Sequence, residues 1–128
     1  CRADGSRDTS PSSAAPDDGL LIIFTSGTTG SPRAAVISQR AEIARMHVLQ
    51  RDLCIAPDDA FVAWSPMFHM GGSEHTLASL MSGAPVVICD GLDVRRIADA
   101  IATMKIGWLL LVPATIEPVL EELRRRRA

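Results

Sequence analysis

Between Thr25 and Gly30 the chain places four hydroxyl side chains and two glycines in six consecutive positions, and Arg33 follows three residues later. Glycine lets backbone amides turn towards a ligand with no Cβ in the way, hydroxyls add donors, and a guanidinium supplies fixed positive charge. Those are the requirements of a polyphosphate cradle. The commonest nucleotide-binding loop needs Gly-Lys-Ser/Thr beginning five residues after its first glycine. Counted from Gly27, that position holds Pro32, so that pattern fails. On composition alone, a solvated Ser/Thr/Gly turn between two strands is an equal alternative. Downstream, His69 sits in the run Trp64-Ser65-Pro66-Met67-Phe68-His69-Met70-Gly71-Gly72, where a lone histidine is ordinarily a packed or surface residue. His69, Glu74 and His75 invite a metal reading, but their spacing differs from that of zinc-binding helices, and no metal site is expected from them.

The elements that must carry these residues follow from apolar patterning. Residues 1–19, rich in Ser, Asp, Pro and Ala, read as a linker or exposed loop. Leu20 to Thr25 is an unbroken apolar run, as expected of a strand buried on both faces. The Ser26–Pro32 loop leads to a second short strand, Ala34 to Ile37, and Ser38 is a good N-cap for a helix through about Leu53. Phe61–Trp64 reads as a strand, Ser65–Gly72 as its loop, and Ser73–Met81 as a helix ending at Gly83. A strand at Val86–Cys89, a helix from Asp93 to Lys105, a strand at Trp108–Val112 and a final helix complete the chain. Pro118 is expected in the first turn of that last helix, where no amide hydrogen is needed. Strands alternating with helices of about ten residues predict an α/β fold with a parallel sheet.

Composition narrows the field. The chain has 128 residues, 47% of them hydrophobic, and no apolar run approaches the roughly 20 residues of a membrane span. Four of the 13 basic residues are Arg124 to Arg127, so the remaining nine face 15 acids, which argues against a nucleic-acid-binding face. The arginine run reads as a solvated last helical turn paired with Glu121 and Glu122. Asp58 and Asp59 read as solvated turn residues. The three cysteines lack metal-type spacing and are expected as buried free thiols, with a cytoplasmic location. An N-terminal Cys1 fits a piece of a longer protein.

The order of residues in the glycine-threonine loop carries a resemblance. Phe24-Thr25-Ser26-Gly27-Thr28-Thr29-Gly30-Ser31-Pro32-Arg33 closely resembles the phosphate-loop signature of the adenylate-forming superfamily: acyl-CoA synthetases, adenylation domains of peptide synthetases, and firefly luciferase. That signature is an aromatic residue, Thr-Ser-Gly-Thr-Thr-Gly, any residue, then Pro-Lys-Gly. Arg33 stands for the usual lysine and Ala34 for the usual glycine; arginine keeps the charge on a planar fork. Pro66 to Gly71 resembles the Pro-x-Phe/His-His-x-x-Gly segment of acyl-CoA synthetases, and Leu110 to Thr115 echoes a strand ending in Val-Pro. The resemblance covers about Pro16 onwards.

It implies that residues 20–128 are part of the large N-terminal, AMP-binding domain, and that the activity is ATP-dependent ligation of a carboxylic, expectedly fatty, acid to coenzyme A through an acyl-adenylate. It assigns Thr25, Ser26, Gly27, Thr28, Thr29, Gly30 and Arg33 to the ATP phosphates, with Thr28 or Thr29 near a phosphate-bound Mg2+. His69 becomes the catalytic-side residue bordering the acyl-carboxylate pocket. The family's tyrosine-containing motif, its ribose-binding aspartate segment and its C-terminal catalytic lysine are not recognisable, so the remainder of a parent chain is an expected partner. Two other classes remain: a non-catalytic nucleotide-binding or interaction module, and a polyanion adaptor using the arginine tail.

Overall fold

The structure, a computed structural model, describes residues 13–25 and 32–127. Strand β1 (Gly19–Thr25) pairs antiparallel with β2 (Arg33–Ser38), from Thr25 opposite Arg33 to Leu21 opposite Ile37. The connection between them is too short for a parallel crossover, which needs a dozen or more residues. The pair is therefore a hairpin and not part of the parallel sheet. Nor is β1 buried on both faces: Ile22, Phe24 and, opposite, Val36 are more than 60% exposed. Among the described residues β1 has only β2 as a strand neighbour, so its apolar run has no second layer to enter.

Helix α1 (Gln39–Asp52) starts where predicted, with Ser38 Oγ accepting from the Ala41 amide at 3.3 Å. The preceding turn closes onto it: Gln39 N donates to Asp18 O, Arg40 N to Pro16 O, and Arg40 pairs with Asp17 at 2.9 Å. Past α1, Cys54 adopts a positive φ of 53° and is exposed, against the expectation of a buried thiol; Cys89 is buried.

The second part is a three-stranded parallel sheet in the order β4-β3-β5, formed by β3 (Ala60–Ala63), β4 (Val86–Ile88) and β5 (Ile106–Trp108). Helix α2 (Met70–Ser82) joins β3 to β4, α3 (Val94–Thr103) joins β4 to β5, and α4 (Pro113–Arg127) follows. Every residue of β3 is buried, and its alternation feeds two layers. Val62 enters a core with Ile97 and Ala100 of α3 and Val119 of α4. Phe61 points the other way, 5.5 Å from the His75 ring of α2 and 6.0 Å from Trp108, while His75 and Trp108 stack at 3.9 Å. The helices thus cover both faces, as an α/β pattern requires.

Several boundaries move, for identifiable reasons. Strand β5 covers 106–108 rather than 108–112, because the Leu110 carbonyl accepts the Trp64 indole N–H at 2.5 Å instead of a ladder donor. Pro113, not Pro118, opens α4, with Val112 N donating to Thr115 Oγ1 at 3.0 Å. Pro118 therefore lies inside the helix, where its missing N–H leaves the Ala114 carbonyl without its usual helical donor. Asp59 is buried rather than solvated: it accepts from Ala56 N at 3.0 Å and pairs with Lys105 at 2.7 Å, which holds its carboxyl below the ordinary range. The arginine run is pinned as well as solvated. Arg125 and Arg126 clamp Glu122, pulling that carboxyl down to about 2, and Arg126 also reaches Asp99 on α3.

Helices α1 and α2 meet along a partly polar seam. Arg45 Nε lies 2.6 Å from Glu74 Oε1, and Gln50 Nε2 donates to Ser82 Oγ at 2.6 Å. Glu42 is 2% exposed and its Oε2 has no hydrogen-bond partner. Burial, then the neighbouring Glu74 charge, push its carboxyl above the ordinary 4.5, against the opposing pull of Arg45. The folded chain therefore keeps a proton on Glu42 at pH values where the unfolded chain has released it, and the contribution of this group to stability falls as pH rises above about 4.5. Glu42→Gln is expected to raise the melting temperature at pH 7–8 and to match the wild type below about pH 4.5, as read by thermal melts across pH.

Candidate functional site

The carboxyl end of β3 builds the more completely described half of the site. After Ala63 the chain turns outward at Trp64, whose indole ties this strand end to the segment after β5. Residues 65–68 make a tight turn closed by His69 N donating to Pro66 O at 3.0 Å. His69 then acts as the N-cap of α2, which starts three residues before the predicted Ser73 because this cap comes early. Its Nδ1 accepts from the Gly71 amide at 3.2 Å, and its carbonyl accepts from the Gly72 and Ser73 amides at 3.0 Å each. An accepting Nδ1 leaves Nε2 as the ring's free polar atom. The imidazole is exposed, and Phe68 beside it is 82% exposed. The packed-core reading of His69 therefore fails. The packed histidine is His75, six residues on, where burial pushes the imidazole pKa down and favours the neutral ring.

Two glycines allow this approach. A Cβ at Gly72 would lie 2.5 Å from the Pro66 carbonyl oxygen and 2.7 Å from that of Ser65. At Gly71 it would crowd the Leu110 side-chain end, at 2.6 Å, with His69 Nδ1 at an ordinary contact distance of 3.6 Å. Thr76 secures the next turn, donating to Gly72 O at 2.7 Å with Met67 Sδ 3.7 Å away. Beside this loop an open groove of about 420 Å³ runs along the carboxyl ends of β3 and β4. Trp64, Met67, Thr76, Ile88 and Cys89 wall it, and Asp90 stands at its rim. Ligands of parallel sheets favour this edge.

The other half is the hairpin. Thr25 and Arg33 face each other across its closing pair, with Thr25 Oγ1 donating to Arg33 O at 3.3 Å. Ser26, Gly27, Thr28, Thr29 and Gly30 lie outside the described residues, and so does the expected magnesium contact of Thr28 or Thr29. The structure thus joins Thr25 to Arg33 directly and carries His69 on a separate element. Sequence reasoning did not find the groove residues Thr76, Ile88 and Cys89; the register of β3 on β4 brings Ile88 and Cys89 to this edge, and the packing of α2 brings Thr76. Among the described residues no cluster of three His, Cys, Asp or Glu could hold a metal ion. Glu74 and His75 are engaged with Arg45 and Trp108 instead.

Comparison with known proteins places these features in context. A family model described as "AMP-binding enzyme" matches residues 2–128. An indoleacetate–CoA ligase of Aromatoleum aromaticum is 38% identical over 115 residues, covering 88% of this chain and 22% of that protein. Among solved structures, a long-chain-fatty-acid CoA ligase from Rhodopseudomonas palustris, so described as a putative assignment, superposes with a TM-score of 0.77 at 26% identity. That match covers 90% of this chain and 29% of the other. An ATP-bound structure of MatB from the same organism gives a TM-score of 0.71 at 25% identity, covering 84% of this chain and 21% of its own. The chain spans about a fifth of the length of the curated relatives it matches.

The glycine contacts give a direct test of the loop. Gly72→Ala is expected to cost about 1–3 kcal/mol, because its Cβ meets fixed backbone oxygens. Gly71→Ala is expected to cost less, since the Leu110 side chain can rotate away. Denaturant unfolding of the two variants side by side measures the difference.

Proposed function

Since the chain belongs to the AMP-binding enzyme family, we propose that it is the ATP-phosphate and acid-side segment of a longer ATP-dependent acid–CoA ligase. The reading rests on the Thr25–Pro32 signature, set on a hairpin closed by Thr25 and Arg33, within a chain matched by that family over residues 2–128. In the proposed reaction a carboxylate attacks the α-phosphorus of ATP, giving an acyl-adenylate and pyrophosphate. The thiol of coenzyme A then displaces AMP. Residues 20–128 are part of the large N-terminal domain in this reading, and 1–19 lead into it.

The first half-reaction builds negative charge on departing pyrophosphate, so donors on the β- and γ-phosphates lower the barrier electrostatically. Thr25, Ser26, Gly27, Thr28, Thr29, Gly30 and Arg33 take that task. Mg2+ bound with ATP neutralises the polyphosphate. His69, exposed at the head of α2 two residues after the groove-lining Met67, borders the acid in this reading. The groove walls at Trp64, Met67 and Ile88 suit an uncharged acyl body, with fatty acids the first class to assay. No helix among the described residues is long and apolar enough to cross a membrane; the proposed site of action is the cytoplasm, where ATP and coenzyme A are at hand.

Two substitutions in the full-length ligase test the halves separately. Arg33→Ala is expected to lower ATP–pyrophosphate exchange about 100-fold while changing AMP affinity less than about 3-fold, because AMP lacks the phosphates that Arg33 faces. Equal losses would place Arg33 in the fold or on the whole nucleotide. His69→Ala is expected to raise the acid KM about 10-fold at an unchanged ATP KM, with an unaltered melting temperature. ATP binding with no exchange for any acid would identify a non-catalytic nucleotide-binding module instead.

A further inference from the structure

The hairpin and the sheet are separate pieces of structure, and the way they are held together points to a device of this chain. Among the described residues strands β1 and β2 pair only with each other, and α1 leaves directly from β2. The parallel sheet carries His69 at the head of α2. Between the two pieces runs the α1–α2 seam, where Met46 and Leu49 face His75 and Ala78 around a cavity of about 20 Å³.

Apolar helix faces of this kind tolerate small shifts in register, whereas an ion pair between partly desolvated groups admits one geometry. In the Arg45–Glu74 pair, Nε to Oε1 is 2.6 Å; the Arg45 side chain is 51% exposed and that of Glu74 only 8%, so it is the carboxylate that would be left buried and unpaired if the pair opened. The backbone that carries Glu74 is anchored at the next residue, where the His75 ring packs against Phe61 and stacks on Trp108. Glu42, one turn before Arg45 on α1, is 2% exposed. At the far end Gln50 and Ser82 add a second tie.

We propose that the Arg45–Glu74 pair, with Glu42 behind it, is a positioning latch that sets the phosphate-binding hairpin against the His69 loop. The proposal rests on the ligase reading above for its catalytic consequence, but not for its mechanical one. Adenylation needs the acid carboxylate in line with the α-phosphorus of a nucleotide held by the other piece. Small misplacements between reacting groups are costly even when each binding half is intact. Arg45 and Glu74 touch neither substrate in this scheme; they act through α1, which leaves the hairpin bearing Thr25 and Arg33, and through α2, which carries His69 at its head.

The test uses the full-length ligase with Glu74→Gln, Arg45→Met and Arg45→Lys, read by hydrogen exchange and by ATP–pyrophosphate exchange kinetics. Glu74→Gln and Arg45→Met are expected to speed amide exchange across β1 and β2 about 10-fold, leaving β3 protected. They are expected to lower kcat about 10-fold with the KM values for ATP and acid each within about 3-fold of wild type. Arg45→Lys, which keeps the charge, is expected to restore most of both. Unchanged hairpin exchange in folded Glu74→Gln overturns the latch. So does a kcat loss that merely tracks a fall in melting temperature and that Arg45→Lys leaves unrepaired. Absence of pyrophosphate exchange in the wild type with every acid overturns the ligase reading alone, and the hydrogen-exchange arm then decides the latch by itself.

Discussion

Strand β3 has no side facing solvent, and that constraint organises the sheet around it. A four-residue strand buried throughout must satisfy two packed layers at once, because successive side chains point to opposite faces. Val62 needs α3 and α4; Phe61 needs α2 and the Trp108 ring. Both edges of β3 are taken by parallel neighbours, so its chain can continue only outward, past Trp64. The loop that reaches His69 is a consequence of that exit. The indole bond to Leu110 then costs β5 its continuation, which is how a strand end and a site come to share one carbonyl.

The site edge is assembled from contacts that leave little freedom. His69 spends Nδ1 and its carbonyl on starting α2, and so presents the remaining ring nitrogen from a fixed base. Gly72 lets the helix press onto the Ser65 and Pro66 carbonyls, and Thr76 closes the following turn. The hairpin half is held differently, by strand pairing from Thr25–Arg33 back to Leu21–Ile37, while much of its apolar surface stays open to solvent. Two chemical tasks, handling a polyphosphate and placing an acid, would thus fall on pieces with unlike supports.

Buried charge is the costly part of this architecture. Asp59, Glu42, Glu74 and His75 are all withdrawn from water, and each must be paired, neutralised or stacked to be tolerated. Asp59 takes Lys105 and a backbone amide, Glu74 takes Arg45, and His75 is shifted towards its neutral ring and stacks on Trp108. Glu42 has the poorest arrangement, with one oxygen unpartnered. A purely apolar seam would be simpler to stabilise, so the polar one is better understood as specifying geometry than as adding stability.

Much of this was legible in the chain itself. The alternation of short apolar runs with helical periods gave α/β, Ser38 and Asp93 marked helix starts, and Gly83 marked a stop with its left-handed φ of 75°. These are local effects, set by caps, glycine and period. The Phe24–Arg33 and Trp64–Gly72 runs likewise pointed to the family by order alone. What the chain could not show was pairing. Whether Leu20–Thr25 is buried depends on what lies above it, not on its own hydrophobicity. Whether Pro118 stands in a first turn or in mid-helix depends on Thr115 closing back onto Val112, which starts the helix at Pro113. Asp59 looked like a turn residue until Lys105 arrived from 46 positions away. Nothing local marked Glu42 or Glu74 for burial; the docking of α1 on α2 withdrew both from water and set the half-exposed Arg45 against Glu74. Hydrophobic patterning records which residues prefer to leave water, whereas long-range contacts decide which of the others must go with them.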